Sequence, residues 1–161
     1  MTLVLRPARP EDKSLILSMV RGLAAYEKLE HRVQLSEADI ARDFFGDNPR
    51  VFCVLAEWDG QPAGFAVWYY IHATFRGRHG IFVEDLFVDE AFRGKGIGSA
   101  LLNHLAARCA SEDLPILQWF VLTDNEPAIG FYTALGAEPQ KEWMVMRASG
   151  NALVRMADAE A

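Results

Sequence analysis

Apolar residues along the chain change their spacing several times, and each change marks an element. Leu3, Val4 and Leu5 begin an apolar run that Pro7 and Pro10 stop, which predicts a first strand over 3–6. From Glu11 to about Leu29 the apolar positions Leu15, Met19, Val20, Leu23, Ala24 and Tyr26 recur at helical spacing. Ser36 followed three residues on by Asp39 marks the capped start of a second helix reaching about Phe45, closed by Gly46 and Asp47-Asn48-Pro49. Two β-rich runs, 51–57 and 63–72, are joined through Asp59-Gly60, the residue types of a tight hairpin turn. A loop over 74–80 precedes a strand over 81–88, and a glycine-rich turn then opens a helix over 97–111. The remaining pattern predicts a strand over 116–122, a helix over 127–135 closed by Gly136, a last strand over 143–147 and a short C-terminal helix. The order β-α-α-β-β-β-α-β-α-β describes an α/β (α+β) fold, one mixed sheet with helices on both faces.

Composition narrows the classes that such a fold can serve. The 161 residues suit one domain spanning 1–161, and no repeat or linker divides them. A net charge of −6 argues against a general nucleic-acid binder, which needs a basic surface to displace phosphate counterions. The N-terminal segment is charged throughout and no later window is a long uncharged apolar run, so neither a secretory leader nor a membrane span is expected. Cys53 and Cys109 lie in apolar surroundings and read as buried thiols of a reducing, cytoplasmic protein. No CxxC, HExxH or clustered His spacing occurs, so no metal site is expected.

The segment with most chemistry is Arg93-Gly94-Lys95-Gly96-Ile97-Gly98-Ser99, placed between a strand and a helix. Glycines there allow a tight turn that points several N–H groups at one spot, and the helix start adds partial positive charge. Arg93 and Lys95 add full charges, so the segment suits a phosphate or pyrophosphate. The GxxxxGK[ST] phosphate loop is absent. A dinucleotide site would need an acidic residue ending the next strand, whereas Glu112 and Asp113 precede it and Asp124 comes too late. Glycines serving only a tight turn are the alternative.

Residues 83–102, with Arg93 to Gly98 reading R-G-K-G-I-G, strongly resemble the GNAT acetyltransferase signature. In that superfamily an (R/Q)xxGx(G/A) loop binds the pyrophosphate of acetyl-coenzyme A. Residues 125–137, Asn-Glu-Pro-Ala-Ile-Gly-Phe-Tyr-Thr-Ala-Leu-Gly-Ala, look like its second cofactor-contacting helix. The resemblance implies a GNAT-like domain with a twisted, mostly antiparallel sheet. Leu23-Ala24-Ala25-Tyr26-Glu27, Glu84-Asp85-Leu86-Phe87-Val88 and Asn125-Glu126-Pro127 resemble the diamine (spermidine/spermine) acetyltransferase branch and its thialysine-acetylating relatives. The polyamine enzymes carry an acidic residue and a Trp near Thr74 and Phe75, whereas this loop continues into Arg76, Gly77, Arg78 and His79.

Acetyl transfer to an amine needs a neutral nucleophile, a polarised carbonyl and a protonated leaving thiolate. The resemblance implies a role for each site residue. Tyr132 would donate a proton to the thiolate and Glu84 would meet the amine. Tyr26, Glu27, Glu84 and Glu142 would contact substrate. The backbone of Leu86, Phe87 and Val88 would hold the pantetheine arm, with Arg93, Gly94, Lys95, Gly96, Ile97, Gly98, Ser99, Asn125, Pro127 and Ala128 completing the cofactor site. It also implies a homodimer and direct attack in a ternary complex on a small-molecule amine, either a diamine, a polyamine or a thialysine-like amino acid. A protein amino group as acceptor, and a non-catalytic acyl-CoA-binding module, are the alternatives.

Overall fold

A computed structural model of the chain describes residues 1–158, and these fall into two compact units, Met1–Leu122 and the residues from Thr123 onward. The first unit carries a five-stranded sheet. Strands β1 (Leu3–Pro7), β2 (Phe52–Trp58), β3 (Gln61–Ala73), β4 (Arg78–Val88) and β5 (Leu117–Trp119) lie side by side in chain order. Antiparallel pairing joins β1 to β4, and β5 runs parallel to β4. Asp59 and Gly60, both at positive φ, make the two-residue turn between β2 and β3, whose twist matches that of the flanking strands.

Helices α1 (Lys13–Tyr26) and α2 (Glu37–Phe45) cover one face of the sheet. Their Ile16, Leu17, Met19 and Ile40 pack with Cys53, Leu55, Phe65, Val67 and Phe87. The intervening strand residues Val54, Ala66 and Trp68 are also buried, on the opposite face, where α3 (Ile97–Ser111) lays Arg108 over the Trp68 ring. Strand alternation thus serves two layers of helix. Gly22 lets α1 approach closely, since a Cβ there would lie 3.0 Å from the Phe87 ring.

Two predicted elements are shorter than their sequence pattern. The first helix begins at Lys13, directly after a 3-10 turn at Pro10–Asp12. Asp12, at its N-cap, accepts from Arg6 at 2.7 and 2.9 Å, while Arg6 also donates to Glu57. Strand β5 stops at Trp119 rather than 122 because its partner leaves it. The β3–β4 register shifts at Val67/Trp68, where Asp85 and Val83 are the successive partners, and Glu84 between them is the extra residue of a β-bulge. Pairing of β4 with β5 ends at Val83–Trp119, the residue before that bulge.

The second unit contains α4 (Glu126–Ala134) and α5 (Asn151–Asp158). The strand expected over 143–147 does not form. Trp-Met-Val-Met-Arg is an apolar run without alternation, and no neighbouring strand in this unit, among the described residues, offers it a ladder. The predicted C-terminal helix is present up to Asp158, and its last three residues lie outside the described ones.

Candidate active site

The glycine-rich turn is built as its composition demands. Asp89 caps a short 3-10 turn at Glu90–Phe92 by accepting from the Ala91 N–H at 3.0 Å. Gly94 and Gly96 follow at φ +74 and +77, and Gly96 is the N-cap of α3. A Cβ at either would meet nothing within 4 Å, so glycine is required here for its backbone conformation while the space above the turn stays open. Ile97, Gly98 and Ser99 form the first helical turn, where N–H groups lack partners inside the helix. The flanking cations are anchored. Lys95 Nζ donates to the Ala91 carbonyl at 3.1 Å, and Arg93 Nε to the Val88 carbonyl at 3.2 Å. The Arg93 guanidinium lies 4.6 Å over the Tyr26 ring, which joins the turn to the end of α1.

Beside this turn, the edge of β4 that parts from β5 after Val83 carries Glu84 to Val88. Backbone groups on that edge meet no strand among the described residues. The Phe87 ring is buried in the α1 core, so only the backbone of that residue faces a ligand.

The bulge decides what the α1 face of β4 presents. In a regular strand Glu84 and Asp85 would point to opposite faces. With the extra residue, Asp85 pairs with core-facing Val67, and Glu84 still reaches the same face, where Tyr69 Oη donates to its Oε2 at 3.2 Å. Burial, with Glu84 and Glu27 nearby, pushes the Asp85 carboxyl up to about 6. Glu27, the residue capping the C-terminus of α1, is likewise raised by burial. Structure therefore brings Tyr26, Glu27, Glu84 and Arg93 into one region of the first unit and adds Asp85 and Tyr69, which the sequence reading had not assigned. Two adjacent charges inside an apolar strand were the signal for the bulge.

In the second unit, Asn125 caps α4 by accepting from the Ala128 N–H at 3.3 Å, with Pro127 in the first turn. Tyr132 is half-buried on α4, its ring 5.2 Å from that of Phe131. Glu142 lies exposed in a turn. The loop expected over 74–80 is shorter, because β4 already starts at Arg78 opposite Ala73. Arg78 there forms an ion pair with Asp113 beyond the end of α3, which leaves Arg76 of the two arginines for a ligand. The thiols are inert by position: burial raises Cys109, and burial with Asp12 and Asp85 nearby pushes Cys53 up to about 12. No cluster of three potential metal-ligating side chains occurs among the described residues, and none of their helices is long and apolar enough to cross a membrane.

Similarity to known proteins agrees with this geometry. A thialysine N-epsilon-acetyltransferase of Mus musculus is 33% identical over 95% of this chain and 96% of its own length. Spermidine/spermine N(1)-acetyltransferase-like protein 1 of Homo sapiens is 31% identical over 95% of this chain, which spans 23% of that longer protein. Among solved structures, an integron cassette protein from the mobile metagenome of V. cholerae superimposes with a TM-score of 0.83, at 25% identity over 99% of both chains. The profile of the acetyltransferase (GNAT) family matches residues 19–137. The open glycine turn, the parted strand edge and the relatives converge, and the chain belongs to the acetyltransferase (GNAT) family as an acetyltransferase enzyme.

Proposed function

We propose that the chain transfers the acetyl group of acetyl-coenzyme A to the primary amine of a small molecule, by direct attack within a ternary complex, with both units serving one catalytic domain. The observation that carries this reading is the open turn at the start of α3 beside the edge of β4 that parts from β5. Pyrophosphate fits the turn, because Ile97, Gly98 and Ser99 offer N–H groups at a helix start and Arg93 and Lys95 bring charge. Backbone groups of Leu86, Phe87 and Val88 take the pantetheine arm and polarise the thioester carbonyl. Asn125, Pro127 and Ala128 complete the cofactor contacts at the start of α4. The buried thiols fit a reducing compartment such as the cytoplasm.

The acceptor enters as a cation. A lysine-like amine has a pKa of about 10.4, so neutralising it at pH 7 costs on the order of 4 kcal/mol. Glu27, Glu84 and Asp85 attract the ammonium, Glu84 takes its proton directly or through water, and Tyr132 returns a proton to the leaving thiolate. Tyr26 and Glu142 contact the acceptor.

Calorimetry tests the cofactor site. Gly96→Val forces a β-branched residue to φ +77 and distorts the cradle, so acetyl-coenzyme A should bind at least about 10-fold more weakly. Unchanged affinity would remove the site from this turn. Comparing acceptors tests the amine site. Thr74, Phe75 and Arg76 occupy the exposed 3-10 turn after β3, which lacks acid for a long polycation and offers a cation to a carboxylate. Thialysine should therefore give a higher kcat/KM than spermine, and a preference for spermine would overturn that assignment.

A further inference from the structure

Glu84 occupies an awkward place for a proton acceptor. As the extra residue of a bulge it has no partner across the ladder, and its exposed side chain has many rotamers to lose before it can meet an amine in one geometry. The residue that restrains it is on the neighbouring strand. Tyr69 pairs in register with Phe82, and Glu84 is two residues further along β4, a diagonal distance that long side chains bridge. The Tyr69 ring stacks on Phe82 with centroids 5.3 Å apart, and Phe82 meets Phe120 edge-on at 4.8 Å. The phenol is thus held by its ring and reaches Glu84 Oε2 with its hydroxyl.

We propose that Tyr69 is a positioning residue for acetyl transfer, its hydroxyl holding one oxygen of the Glu84 carboxylate so that the other meets the amine proton. This rests on the reading of Glu84 as the group that receives that proton. The phenol is suited to the task because burial, aided by Glu84, raises it above its ordinary value, so it remains a donor throughout the working range. A hydroxyl that donates to a carboxylate oxygen also fixes where the second oxygen points, which an exposed, freely rotating side chain would not do. The bulge and Tyr69 therefore act as a pair. The bulge leaves the carboxylate on the α1 face with no residue paired across from it, and the phenol fixes it there.

Tyr69→Phe keeps the stacked ring and removes the hydroxyl. It should lower kcat about 10-fold at pH 7 while the KM for acetyl-coenzyme A stays put, and should move the acid limb of the amine kcat/KM profile to higher pH. In a Glu84→Gln background the same change should cost nothing further, since the partner is gone. A merely structural role would lower kcat equally in both backgrounds and leave the limb unmoved, and that result would overturn the proposal. So would full activity in Tyr69→Phe beside a crippled Glu84→Gln. Should Glu84→Gln itself keep full activity, the reading of Glu84 fails first, and the two failures are distinguishable.

Discussion

Tyr132→Phe is expected to lower kcat by about 10²-fold, close to 2.7 kcal/mol of barrier, with little change in acetyl-coenzyme A affinity. The substitution keeps the ring on α4 against Phe131 and removes the hydroxyl that carries the acidic proton. A phenol has a pKa of about 10 and a free thiol about 8.5, so the two are near enough in acidity for partial proton transfer as the C–S bond breaks. Loss confined to kcat marks an interaction made in the transition state, whereas a purely cofactor-binding role would weaken binding instead. Glu84→Gln provides the contrast. Its rate loss should shrink as pH approaches the amine's own pKa of about 10.4, where the acceptor is neutral without help. Tyr132→Phe should show no such recovery. Pre-steady-state rates at saturating amine, measured from pH 7 to pH 10, separate the two, and full neutral-pH activity in Tyr132→Phe would assign the proton to another donor.

Asp85→Asn is expected to stabilise the folded protein at neutral pH by about 2–3 kcal/mol. The carboxyl sits at about 6 in the folded state against 3.8 for the free group, mainly through burial. Well below pH 3.8 it is protonated in both states and costs nothing. Between about pH 4 and pH 6 the unfolded chain releases its proton while the folded one keeps it, so stability falls as pH rises, then levels off once both are ionised. The neutral amide escapes that loss. Urea unfolding at pH 3 and pH 7.5 should therefore show a gain at the higher pH that nearly vanishes at the lower one. An equal effect at both would mean that Asp85 carries no ionisation penalty. A buried carboxyl kept at a cost in stability is what the proposed attraction of a cationic acceptor would exchange for function.

Much of the architecture was legible because each element carried a local signal. Ser36 does accept from the Asp39 N–H at 3.2 Å to start α2, Asp59-Gly60 does make the β2–β3 turn, and α3 runs over 97–111 as its pattern indicates. Helix ends were less legible, because residues 10–12 take a 3-10 turn, with Asp12 accepting from the Arg9 N–H and from Arg6, before α1 starts. The 143–147 run failed for want of a pairing partner, a property that no short window contains. In the site, the glycine turn could be read from composition, since positive φ selects glycine. Asp85 and Tyr69 could not, because the consequence of the bulge depends on which β3 residue each β4 residue faces. Arg76 and Arg78 look alike in the sequence, yet Arg78 pairs with Asp113, 35 residues away, a contact that no local window contains.

The positions of Cys53 and Cys109 bear on how turnover can be followed. Both side chains are buried, with 7% of each residue accessible, and each is held in the protonated form, which does not attack disulfide reagents. A chromogenic disulfide added to a reaction should thus report the coenzyme thiol released at each cycle, with negligible background from the folded catalyst. Two further equivalents per chain should colour the solution only when the protein is denatured, so one reagent counts both product and unfolded enzyme in the same cuvette.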